Sequence, residues 1–361
     1  MWYEHKFFKY SVGAILVLLI IFLLGKVDFF LEPFKKFVAI LFFPILVSGL
    51  LYYLLRPLIR LVQKVHIPKT KVYIPKIIAI LIVFLTVVLF IAGISSYTGS
   101  LIGKQINQLA IDIPQFIEIS KEKTTEFINS KDLSFIPVDQ ISQQFTSILQ
   151  KVIPMISQSV FSGLSAVTSI ATVLLVIPFI LFYLLKDDTI FVSYFMDIIP
   201  EKHRRDSEDI LKDVDKTLST YIIGQATIAL AIGILMYAGF MILGLKYALI
   251  LALFAMFTAI IPVLGAFIGI LPALLVGLAD SPITSVKVLV LMIIVQQLEG
   301  NLLSPQIMGK RMRIHPLTLI FLLIVSAALY GFIGMLIAVP TYAVLKIIIK
   351  NVIKAYRLRK A

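Results

Sequence analysis

The sequence predicts an all-α, polytopic membrane protein. Apolar residues make up 60% of the 361-residue chain and charged residues only 15%, against roughly 45–50% and about 25% in soluble domains. Mean hydropathy is +1.00. Uncharged runs at 77–103, 160–185, 217–245, 247–279 and 316–345 each reach the ~20 residues with which a helix crosses hydrocarbon. The alternating strands of about ten residues that build a membrane barrel are missing from the pattern.

The stretch "MWYEHKFFKYSVGAILVLLIIFLLG" lacks a small-residue cleavage site before Lys26, so it reads as an uncleaved first span over 10–25. A second span covers 37–55. The loop after it carries Arg56, Arg60, Lys64, Lys69, Lys71 and Lys76 and no acid, which places it, and the N-terminus, on the cytoplasmic side. A third span, 77–98, completes an N-terminal membrane region, 1–98, and leads outward.

Segment 99–159 is then extracytoplasmic. Leu109, Ile113, Phe116, Ile117, Phe127 and Ile128 recur at helical intervals, predicting amphipathic helices interrupted at Pro114 and Pro137. The segment reads as a cap that shapes a subunit interface, with a ligand-binding role as the alternative. A fourth span, 160–185, returns the chain to the inside. Segment 186–219 carries six basic and nine acidic residues and reads after Pro200 as a charged helix laid in the cytoplasmic interface, leading into the fifth span. His203, Asp206 and Asp209 fall at i, i+3 and i+6 there, yet with Lys and Arg among them they read as a solvated face rather than a metal site. The fifth span is 220–243.

The C-terminal third, 220–349, reads as the transport core, followed by a basic cytoplasmic tail, 350–361. Runs 247–279 and 316–345 are too long for one crossing each: 33 residues of helix reach about 50 Å against a core of ~30 Å. Both are broken, the first at Pro262, Gly265 and Gly269, the second at Gly331, Gly334 and Pro340. Paired Gly/Pro-broken apolar segments point to a transport site. Three arrangements keep both termini inside: two hairpins of full spans, two re-entrant hairpins, or two long kinked helices. The last puts Lys310, Arg311 and Arg313 outside, against the positive-inside bias.

Between the broken segments stands "QQLEGN", 296–301. On a helix Gln296, Gln297, Glu299, Gly300 and Asn301 fall within an arc of about 200°, so the polar groups are expected on one side. A carboxylate in hydrocarbon costs roughly 2.5–3.5 kcal/mol and ordinarily faces a pathway. Glu299 is therefore a candidate proton carrier or substrate-orienting group; the alternative is an interfacial position at the helix end. His315-Pro316 reads as a helix start, and Asp280 as an outer-surface turn residue.

Other chemistries are excluded. Zero cysteines rule out disulfides and thiolate metal sites. There is no GxxxxGK[ST], HExxH or GxSxG, so the chain is read as neither a nucleotide-driven engine nor an enzyme, with no cofactor beyond a coupling ion, H+ or Na+. The net charge of +13 sits beside the apolar spans, as membrane topology requires, rather than in a nucleic-acid patch.

"YIIGQ" (221–225), "IIPVLGAFIGILPALLVGL" (260–278), "QQLEGNLLSPQIMGKRMRIHPLTL" (296–319) and "YGFIGMLIAVPTYAVLK" (330–346) resemble the autoinducer-2 exporter-like family, also called the PerM permeases. The resemblance is dense over 183–348 and looser toward the N-terminus. It implies a bacterial cytoplasmic-membrane transporter with about eight membrane elements that forms a homo-oligomer. Family motif positions fall here on Pro262, Gly265, Gln297, Glu299, Asn301, Pro305, Gly309, His315, Pro316, Gly331, Gly334 and Pro340. Ala266 departs from the proline or other small residue common after that glycine. The family holds exporters of autoinducer-2, a small polar diol, and monovalent cation/proton antiporters. The expectation is thus a secondary transporter of a small polar solute such as autoinducer-2, using Gln296, Gln297 and Asn301. A cation/proton antiporter built on Glu299 and a non-transport membrane scaffold are the alternatives.

Overall fold

The computed structural model describes residues 11–13, 15–16, 28–65, 74–130, 175–309 and 314–360. Most of the expected first span, most of the fourth, Pro137, and Lys310, Arg311 and Arg313 lie outside the described residues.

Every element among the described residues is helical. Helix α1 is Asp28–Gln63 and α2 is Lys76–Ser130. They pack with the short apolar α3, Ile177–Lys186, around Ile59, Ala79, Ile80, Val83, Leu181 and Leu185. Two polar contacts pin this N-terminal bundle. Buried Ser48 donates to the Ile177 carbonyl at 3.1 Å, and Lys76 Nζ reaches Asp188 Oδ1 at 2.7 Å. Asp188 opens α4, Asp188–Ile198.

One sequence expectation is corrected. Pro114 does not interrupt a helix, because α2 runs through it as one 55-residue element, about 80 Å long. Proline removes one backbone hydrogen bond and bends a helix, and the packing described below holds α2 on both sides of that position. The charged helix expected after Pro200 and the fifth span form one element: α5, Glu201–Ile242, continues unbroken from the charged stretch into the apolar one.

After α5 the chain enters its broken region. Helix α6 is Ala248–Thr258 and α7 is Leu264–Asp280. They fold back on each other: a methyl on Gly265 would overlap the Thr258 carbonyl, and one on Gly269 would meet Ala255 Cα at 3.0 Å. Helix α8, Pro282–Leu298, starts at the Ser281 cap, whose hydroxyl accepts from Thr284 N. It continues through a π turn, Glu299–Leu303, into α9, Ser304–Met308. Helix α10, Pro316–Lys360, is broken at Gly331, where φ 58° and ψ −141° suit only glycine. It too is a hairpin, for a methyl on Gly334 would overlap the Ser326 carbonyl eight residues back. The long kinked-helix arrangement is therefore not formed.

The two hairpins meet. Ile261 and Leu264 at the first tip cluster with Leu319, Leu322, Leu323, Met335 and Ala338 of the second. Among the described residues, five helical stretches are long and apolar enough to cross a membrane, Leu41–Gln63, Lys76–Ser96, Glu201–Ile242, Pro282–Met308 and Pro316–Asn351. Their outward faces are apolar: Leu85, Val88, Leu89, Phe90 and Ile91 are all exposed. A water-soluble chain rarely leaves such a contiguous apolar patch bare.

Candidate transport site

Breaking a helix frees backbone groups that must find partners. At the first tip the residues themselves supply most of them. Ile261 N donates to the Thr258 carbonyl at 2.9 Å, Gly265 N to the Ile261 carbonyl at 2.9 Å, and Leu264 N to the Pro262 carbonyl at 2.7 Å. That last bond closes a three-residue turn centred on Val263, at φ 65° and ψ −63°. This conformation is rare and strained, the more so for a β-branched side chain. The Ala259 carbonyl is taken by buried Gln225 of α5, whose Nε2 donates to it at 2.7 Å.

Beneath this tip lies a cavity of about 20 Å³ walled by α5, α6, α7 and α8. Ala255, Ala259, Ile270, Met292 and Val295 make it apolar, Ile261 and Val263 bring the strained turn to it, and its polar groups are Gln296 and Glu299. Gln296 and Glu299, one helical turn apart, thus face the same cavity. Glu299 opens the π turn, with its carbonyl accepting from Ser304 N five residues on. Such turns recur at functional positions because they redirect side chains within a helix.

The expected polar wall divides in two. Gln296 and Glu299 line the cavity. Gln297 and Asn301 do not; both are exposed and bond each other, Asn301 Nδ2 to Gln297 Oε1 at 2.8 Å. Gly300 has open space around it. An arc of about 200° is wider than one cavity can face, so its two edges look different ways.

The other motif residues have local placements. Pro262 sits at the first turn and Gly265 and Gly269 in the neck below it; Gly331 makes the second turn, with Gly334 and Pro340 buried on its returning arm. Pro305 lies in the first turn of α9 and Gly309 ends it, at φ 66°. His315 Nδ1 accepts from Leu317 N at 3.3 Å, capping the start of α10, with Pro316 at its first position. Asp280 accepts from Thr284 Oγ1 at 2.6 Å at the α7–α8 turn.

Sequence reasoning assigned no role to Gln225. Its signal was present: it is the lone amide between Tyr221 and Tyr237 in an otherwise apolar stretch. That reasoning read the far part of α2 as a cap with Leu109 and Phe116 on an apolar face, without placing it against the first hairpin. There Asp112 accepts from Tyr247 Oη at 2.7 Å and Lys246 Nζ at 2.9 Å, Phe116 and Leu109 pack on the central core, and Lys123 Nζ reaches the carbonyls of Ala279 and Asp280. This stretch thus grips both open ends of the first hairpin. The Tyr247 hydroxyl and the Lys246 ammonium hold the Asp112 carboxyl below its ordinary range.

Residues 11–354 match the family model of the AI-2E family transporters. The chain is 38% identical to the candidate transport protein YueF of Bacillus subtilis (strain 168), over 99% of this chain and 96% of that one. It is 29% identical to YrrI, another candidate transport protein of the same organism, over 92% and 93% of the two chains. It is 31% identical to the candidate permease PerM of Escherichia coli (strain K12), over 52% and 54%. The chain belongs to the AI-2E transporter family.

Proposed function

We propose that this transporter is proton-coupled: Glu299 carries a proton and exchanges it for a small monovalent cation at the tip of the first hairpin. The observation that carries this reading is the cavity that brings one carboxylate beneath a broken-helix turn. Its volume, about 20 Å³, matches one water molecule and equally a bare cation. A carboxylate among apolar walls favours a bound proton or cation over standing bare, and turn carbonyls of broken helices are the usual partners of a transported ion. Gln296 orients the carboxylate in either state.

A second reading is export of a small polar solute such as autoinducer-2, and the family's own name favours it. The first hairpin would then swing outward to enlarge the cavity, and Gln296 would hydrogen-bond the cargo. The basic loop after α1 supports cytoplasmic termini in a plasma membrane, and the exposed apolar helix faces are compatible with a homo-oligomer.

Transport by the purified chain in liposomes separates the readings. With a pH step imposed, antiport predicts that added sodium or potassium dissipates it, whereas a small polar diol leaves it unchanged. For export, cells lacking the protein accumulate the diol inside; an unchanged internal level removes that reading.

A further inference from the structure

The end of α1 holds a second polar feature, separate from Glu299. Arg56, Arg60 and Lys64 recur every four residues and so share one helix face. With Leu61 they line a cleft of about 380 Å³, closed on its far side by Ser219 and Ile223 of α5. Arg56 Nη1 donates to both carboxylate oxygens of Asp215 at 2.9 Å, and its guanidinium lies 5.3 Å from the Tyr52 ring centre. Its Nε is buried and has no hydrogen-bond partner. Arg60 and Lys64 are exposed, and among the described residues no carboxylate pairs with either. Asp215 thus matches one of the three cations and leaves two unmatched.

We propose that this cleft binds a phosphate oxyanion, presented by an anionic phospholipid headgroup or by free phosphate. The lining has the chemistry for it: planar guanidinium donors suit phosphate oxygens, Lys64 adds a mobile charge, and the Ser219 hydroxyl donates from the opposite wall. The position favours the lipid source. The cleft lies at the end of the candidate span Leu41–Gln63, where headgroups sit, and Leu58, Leu61 and Val65 beside it are exposed, as a surface laid against acyl chains would be. Basic pockets between membrane helices recognise anionic headgroups in this way.

The test uses the full chain and its Arg60→Gln/Lys64→Gln variant, both exposed positions away from the Glu299 cavity. Each is placed in nanodiscs of equal parts phosphatidylglycerol and phosphatidylcholine, extracted, and assayed by mass spectrometry for retained lipid. A second arm titrates inorganic phosphate onto both proteins in phosphatidylcholine discs and follows the melting temperature. The proposal expects selective retention of phosphatidylglycerol, falling by about fivefold for each cation removed. A phosphate-dependent melting shift in the unmodified chain alone, without phosphatidylglycerol enrichment, assigns the site to the free anion. Equal lipid retention and equal phosphate response in the two proteins overturn the proposal.

Discussion

At the scale of residues, the site depends on which polar side chains reach the cavity. Gln296 and Glu299 line it, while Gln297 and Asn301 bond each other on another side of the helix. Their consequences for transport should therefore differ. Gln296→Leu removes the polar neighbour that shares the cavity with Glu299 and leaves that carboxylate among apolar walls. A fall in transport rate of at least tenfold is expected. Gln297→Leu keeps the cavity lining and should hold the rate within about twofold. Initial rates in liposomes for the two variants check this, and equal losses would return the polar wall to a single surface. Sequence projection alone grouped these four side chains, because a 100° wheel cannot show that a cavity is narrower than the arc or that a π turn begins at Glu299.

At the scale of elements, the first hairpin stores strain at its tip. Val263 adopts positive φ with its side chain 42% exposed, so little burial repays a conformation that costs about 1–3 kcal/mol. Val263→Gly should relieve that cost, less the ~0.5–1 kcal/mol of added backbone entropy, and so raise the melting temperature while slowing transport. A lower melting temperature would show that the valine side chain stabilises the turn. Both turns were legible in sequence, because proline and glycine act on their own backbone: Pro262 and Gly331 mark the reversals. The arm lengths were not. Helix α6 has 11 residues, a rise of about 16 Å and roughly half a bilayer core, while its partner α7 has 17. Neither was the Gln225 clamp legible, since it exists only once α5 lies against the broken end of α6. Pro114 misled for the opposite reason: its local effect is real, but contacts of α2 with the hairpin ends outweigh it.

At the scale of the whole molecule, α2 links the N-terminal bundle to the transport core. It packs with α1 and α3 near its start and grips the open ends of the first hairpin through Asp112, Phe116 and Lys123. The Asp112 contact gives a pH signature. Because the folded carboxyl lies below its ordinary value, through the Tyr247 hydroxyl and then the Lys246 ammonium, its stabilisation is complete above the unfolded pKa, about 4. It is lost as pH falls through the lowered folded value. Melting curves of the unmodified chain and Asp112→Asn should differ by a roughly constant amount between about pH 5 and 8, with the gap narrowing below about pH 4 and closing only beneath the lowered folded value. A gap that persists in acid would assign the contact to packing instead of charge. The most direct test of the central claim is proton flux through liposomes containing the Glu299→Gln variant, with a pH step and sodium or potassium added. The account predicts that cation-driven proton flux disappears while the variant still folds and inserts. Full flux in that variant would contradict it.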